Sequence, residues 1–129
     1  MAKKIALVFG VVFVLVGILG FVSNPLVGPA GLFETDMLHN IVHVLFGVVL
    51  LGAALRMPLQ SALWLKIIGV VYLILAVLGF LTVPNGGPLL GLVMTNVADH
   101  WLHVVLGVVL VAAGFLAKDG PSGPSAPVM

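Results

Sequence analysis

The chain has no cysteine among its 129 residues. That absence excludes disulfides, thiolate metal sites and covalent attachment of c-type haem, and it leaves the redox compartment unread. Charge is nearly as scarce, since Asp, Glu, Lys and Arg together make up 7% of the residues. A soluble domain of this length needs a charged surface, so the solvent this chain is written for is lipid. A net charge of +1 gives no basic footprint for nucleic acid. No nucleophile stands beside a base, no phosphate loop is present, and no polar lane runs the depth of a membrane. Hydrolase, kinase and channel chemistry therefore have no residues to carry them, and the sequence assigns no reaction.

What fills the chain instead is apolar. A hydrocarbon core of ~30 Å needs about 20 apolar residues of helix, and four runs qualify: Ile5 to Val22, Met37 to Leu55, Leu65 to Val83 and Val97 to Ala117. The first follows Lys3 and Lys4 but leads into "GFVSNP" rather than a small-x-small cleavage site, so it reads as a span and not a signal peptide. With the N-terminus inside, Lys3, Lys4, Arg56, Lys66 and Lys118 all fall on the cytoplasmic side, and Glu34, Asp36 and Asp99 on the other. Trp64 and Trp101 stand at opposite membrane edges, where interfacial anchors belong. The expected domain is residues 1–117, and the Pro/Gly/Ser-rich stretch 118–129 is expected to be a flexible cytoplasmic tail.

The chain is also written twice. "GVVFVLVGILGFVSNPLVGP" from Gly10 aligns with "GVVYLILAVLGFLTVPNGGP" from Gly69, and "GLFETDMLHNIVHVLFGVVLLGAA" from Gly31 aligns with "GLVMTNVADHWLHVVLGVVLVAAG" from Gly91. Shared apolarity alone does not reproduce Pro25, Gly28 and Pro29 as Pro84, Gly87 and Pro88. The halves are about 5–56 and 64–117, and both start on the inside. The expectation is an all-α integral membrane four-helix bundle of two parallel two-helix repeats, with both termini cytoplasmic. Gly10 and Gly17, mirrored by Gly69 and Ala76, make a small-residue stripe for close helix packing. The outer loops are Pro/Gly-rich yet apolar, so they should lie in the interface or fold back over the bundle.

Against this background His39 and His43 are conspicuous. The alignment sets His43 opposite His103 and His39 opposite Asp99, each pair four residues apart on one helix face. If both faces point at the pseudo-two-fold axis, three imidazoles and one carboxylate converge, a donor set suited to a borderline divalent metal such as Zn, Fe, Mn or Ni. Ionisable groups within a membrane normally face the bundle interior and pair there. Accessory positions are His100, Asp36 and Asn96.

"GLFETDMLHNIVHVLFG" and "NVADHWLHVVLG" resemble the two signature stretches of a family of small, uncharacterised bacterial four-helix membrane proteins, domain of unknown function 4383. The family pattern is H-N-x-x-H on helix two and D-N-x-x-H on helix four. His39, Asn40, His43, Asp99 and His103 fit it, while His100 stands where the family usually has Asn. The resemblance implies a multi-pass protein of the bacterial cytoplasmic membrane and carries no assigned activity.

Plainer roles exist for the same residues. Asn96 can cap helix four with Asp99 at N3, where an acidic group near the helix start stabilises by ~0.3–1 kcal/mol, and Thr35 or Asp36 can cap helix two. His39 and His100 can sit at headgroup level. His43 and His103 lie deeper, where an unpaired polar group costs several kcal/mol. They bind a ligand, or they join helices two and four through a His–His or His–Asp hydrogen bond. A second ligand reading is b-type haem held by His43 and His103, with Gly47 and Gly107 making room for the macrocycle. The third is a structural or assembly subunit, packed in the bilayer against another copy or a larger membrane complex.

Overall fold

A computed structural model describes residues 1–117. The stretch 118–129, with Lys118, lies outside the described residues. Four helices carry the chain: α1 (Ala2–Leu19), α2 (Met37–Arg56), α3 (Ser61–Thr82) and α4 (Val97–Leu116). Each is long and apolar enough to cross a membrane. The protein is an all-α membrane four-helix bundle.

Two helices differ from the sequence expectation in their bounds. Helix α1 runs from Ala2 and stops at Leu19, ahead of Val22. Asn24 is the cause. Its Nδ2 donates to the Leu19 and Val27 carbonyls, both at 2.9 Å, and its Oδ1 accepts from the Leu26 and Val27 amides, both at 2.9 Å. The Leu19 carbonyl, which also accepts the Val22 amide at 3.0 Å, is thus held in part by a side chain from the loop. Helix α3 begins at Ser61 rather than Leu65, because a 3₁₀ turn at Pro58–Gln60 leads straight into it. The proline supplies a preset φ and has no amide to leave unpaired.

Packing is organised as two antiparallel hairpins, α1 on α2 and α3 on α4. A Cβ placed on Gly10 would lie 3.1 Å from the Gly47 carbonyl oxygen, and one on Gly47 would lie 2.7 Å from the Gly10 carbonyl oxygen. Gly69 and Gly107 stand in the same relation at 3.0 Å each way. Lipid gives helices no hydrophobic reason to associate, so backbone approach through small residues supplies the contact. Between the hairpins lies a core that includes Phe13, Leu50, Ile68, Tyr72 and Leu110. Ala2, Ala54, Leu65 and Ala117 belong to the same core, so the described chain starts and finishes at one end of the bundle, near Lys3, Lys4, Arg56 and Lys66. The histidines of α2 lie toward the other end. Val8, Leu15, Leu45, Val77 and Val105 stay exposed on the outside, as a lipid-facing surface should.

Short strands in the two long loops are a feature that the sequence pattern does not reveal. Strand β1 (Val27–Gly28) pairs in parallel with β2 (Phe33–Glu34), and β3 (Gly87–Leu89) pairs antiparallel with β4 (Val93–Thr95). Runs of two or three residues are too short to show alternation. As expected, the loops fold back, burying Val27 and Leu89. They also cross between hairpins. Asp36, at the start of α2, accepts the Met94 amide at 3.1 Å, and Asn96, at the start of α4, donates to the Leu32 carbonyl at 2.9 Å.

The glycine contacts generate a paired test. Gly47→Ala should lower the thermal midpoint in detergent, since overpacking costs ~1–3 kcal/mol. Gly52, in the same helix, has nothing within 4 Å of the point where a Cβ would stand. Gly52→Ala should therefore leave the midpoint unchanged or raise it, because alanine is the better helix former by about 1 kcal/mol.

Candidate functional site

The first turn of α2 is set by Asp36, whose carboxylate accepts the His39 amide at 2.8 Å. That cap fixes the register in which His39 and His43 stand one turn apart on the inward face. Both are buried, with ring centroids 4.6 Å apart. Helix α4 contributes His103, also buried, with its centroid 6.0 Å from that of His39. One ring nitrogen from each of His39, His43 and His103 falls within 4.8 Å of the other two. Nitrogens bound tetrahedrally at ~2.0–2.1 Å from an ion stand about 3.4 Å apart, so small side-chain rotations would bring them to ligating distance.

The orientation of His39 is determined by a contact from the other hairpin. Its Nδ1 lies 2.7 Å from the Met94 carbonyl oxygen. A carbonyl only accepts, so Nδ1 carries the hydrogen, and in the neutral ring Nε2 keeps its lone pair. Metal-ligating histidines are oriented by this kind of second hydrogen bond. The Nδ1 atoms of His43 and His103 are buried with no hydrogen-bond partner. Leaving such a group unsatisfied costs about 1–3 kcal/mol, so each calls for an explanation.

Two aromatic residues complete the centre, and the sequence pattern did not single them out. Phe13 stacks on His43 at 6.4 Å and 19°. Tyr72 meets His103 edge-on at 5.2 Å and 62°. The two also touch each other, with centroids 5.5 Å apart. A signal was available, because the alignment already pairs Phe13 with Tyr72, and Tyr72 is the chain's one tyrosine, set in mid-span. Its hydroxyl is buried without a partner. Beside these rings is a cavity of about 210 Å³ lined by the three histidines, Tyr72, Phe46 and Leu75, among others.

Asp99 has a different occupation. Its carboxylate accepts the Asn96 amide at 2.7 Å, and its own amide donates to the Asn96 side chain at 3.0 Å, a complete capping box. The Glu34 amide also bonds to it. Position N3 turns a short carboxylate back over the helix start, where free amides and the helix dipole hold it. Asp99 is thus aligned with His39 in sequence yet lies outside the histidine cluster. Asp36 and Asn96 act as caps and as ties to the opposite loop. Thr35, the other candidate cap of α2, has a buried hydroxyl with no partner.

His100 is fully buried. Its Nε2–H donates to the Val83 carbonyl at 2.8 Å, its ring meets Phe80 edge-on at 5.3 Å, and it packs on Gly79. It fastens α4 to the end of α3. Asn40, its partner in the alignment, packs on Gly20 in the same manner. Gly47 and Gly107, considered as space for a macrocycle, are filled by the helix crossings with α1 and α3.

No curated protein and no solved structure matches this chain. A family model does match, over residues 3–116, a span that takes in all four helices, both loops and every residue of the histidine cluster. The chain belongs to the family described as domain of unknown function 4383.

Proposed function

We propose that this membrane protein binds a divalent transition metal through His39, His43 and His103. The observation that carries the reading is the convergence of three buried imidazoles from two helices, with one ring nitrogen of each within 4.8 Å of the others. The unpartnered Nδ1 atoms of His43 and His103 support it, because lone pairs without hydrogen bonds are what an ion would engage. Three imidazoles suit Zn, Fe, Mn or Ni, and three protein ligands leave a position open. Asp99 stays with its capping box and is not a ligand in this reading. With Lys3, Lys4, Arg56 and Lys66 at the opposite end and facing the cytoplasm, the ion would lie toward the outer leaflet of a bacterial inner membrane.

Haem fits less well. Pockets for drug-sized ligands run to ~300–1,000 Å³, against about 210 Å³ beside these rings. A structural subunit in which the histidines merely join helices is the other rival.

Elemental analysis separates these readings. Protein incubated with Zn²⁺ and desalted should retain about one ion per chain. His43→Ala and His103→Ala should each lose it, while Asp99→Asn should keep it. Metal below ~0.1 per chain, unchanged in His43→Ala, would reject the site. A Soret band in preparations from haem-replete cells would favour the rival cofactor.

Acid should act in a defined direction. A ligating imidazole must be neutral, so protons compete with the ion as pH falls through the range where histidine charges, ~6.5 for a free ring. A ligand present at a hundred times its Kd stabilises the fold by ~2.7 kcal/mol. Added metal should therefore raise the thermal midpoint near neutral pH, and that gain should shrink as acid protonates the ligands.

A further inference from the structure

The open position of the proposed centre has a neighbour. Five residues with polar side chains line the cavity: His39, His43, His103, Thr95 and Tyr72. Thr95 is already committed, its hydroxyl donating to the Gly87 carbonyl at 2.9 Å. The second nitrogen of a ligating imidazole points away from the ion, and that of His39 is engaged by Met94. Tyr72 alone among these brings a buried hydroxyl with no partner, on a ring packed against ligand His103. The rest of the lining includes Val42, Phe46, Val71 and Leu75, which exclude water and offer no competing donor.

We infer, resting on the metal reading, that the centre takes a small exogenous ligand of a few heavy atoms on the ion's open position, hydrogen-bonded by the Tyr72 hydroxyl. The cavity restricts its size, and the apolar lining favours a neutral or singly charged species with an acceptor atom. Phenol and ligand exchange no electrons, and the tyrosine proton stays on its oxygen. Phe13, at the position aligned with Tyr72, has the same ring without the hydroxyl, so the bundle's two sides differ at the atom that would select the ligand.

Co²⁺ serves as the spectroscopic ion and azide as the probe. Wild-type protein should bind Co²⁺ with visible bands that azide shifts in a saturable way. Tyr72→Phe should bind Co²⁺ equally well but azide ~3- to 10-fold more weakly, the worth of one hydrogen bond. In the wild type, the antisymmetric stretch of bound azide should move on transfer to D₂O, a readout that needs no variant. Absence of histidine-dependent Co²⁺ bands would overturn the metal reading and this inference together. Normal Co²⁺ bands with azide affinity unchanged in Tyr72→Phe, or with an azide stretch insensitive to deuterium, would overturn the inference and leave the metal reading standing.

Discussion

Backbone contact at two glycine crossings sets everything else in this bundle. Gly10 against Gly47 and Gly69 against Gly107 draw each hairpin together until carbonyl oxygens occupy the space of a missing side chain. With the hairpins this tight internally, bulk can be placed only between them. That is where Phe13, Tyr72, His39, His43 and His103 are found, and where side chains of α2 and α4 meet. A polar centre in a membrane needs such an arrangement, because the walls must be dry and rigid before three imidazoles can be held without water.

Much of this was legible in the sequence, for physical reasons. Helices that cross lipid must be apolar along their length, so span number and class followed from composition. The two-copy alignment placed His43 and His103 at matching positions, and α2 and α4 present both to one centre. Asp99 shows where register stops being informative. Its position relative to His103 matches that of His39 to His43, yet its chemistry is decided by the helix terminus beside it, which attracts a carboxylate and has no such hold on an imidazole. Tyr72 was hidden for the opposite reason, since an aromatic in an apolar run reads as core until the fate of its hydroxyl is known. The end of α1 falls three residues short of the apolar run because Asn24, five residues past Leu19, bonds the terminal carbonyl from a loop.

His100 and Asn40, aligned between the two halves of the chain, illustrate how one position can take two different side chains. Asparagine and histidine share little volume, but both lay a flat polar group over a glycine on the neighbouring helix, Gly20 under Asn40 and Gly79 under His100. The glycine surface accepts either plane. The imidazole reaches the Val83 carbonyl in addition, which ties the end of α3 to α4.

The crossing of the outer loops has a consequence for how this molecule comes to be whole. The carbonyl that aims the His39 ring belongs to Met94, in the loop of the other hairpin. Neither hairpin alone therefore holds both the His39 ring and this carbonyl. A pair of hairpins docked in the wrong register would separate the His39 ring from that carbonyl while leaving the four helices intact.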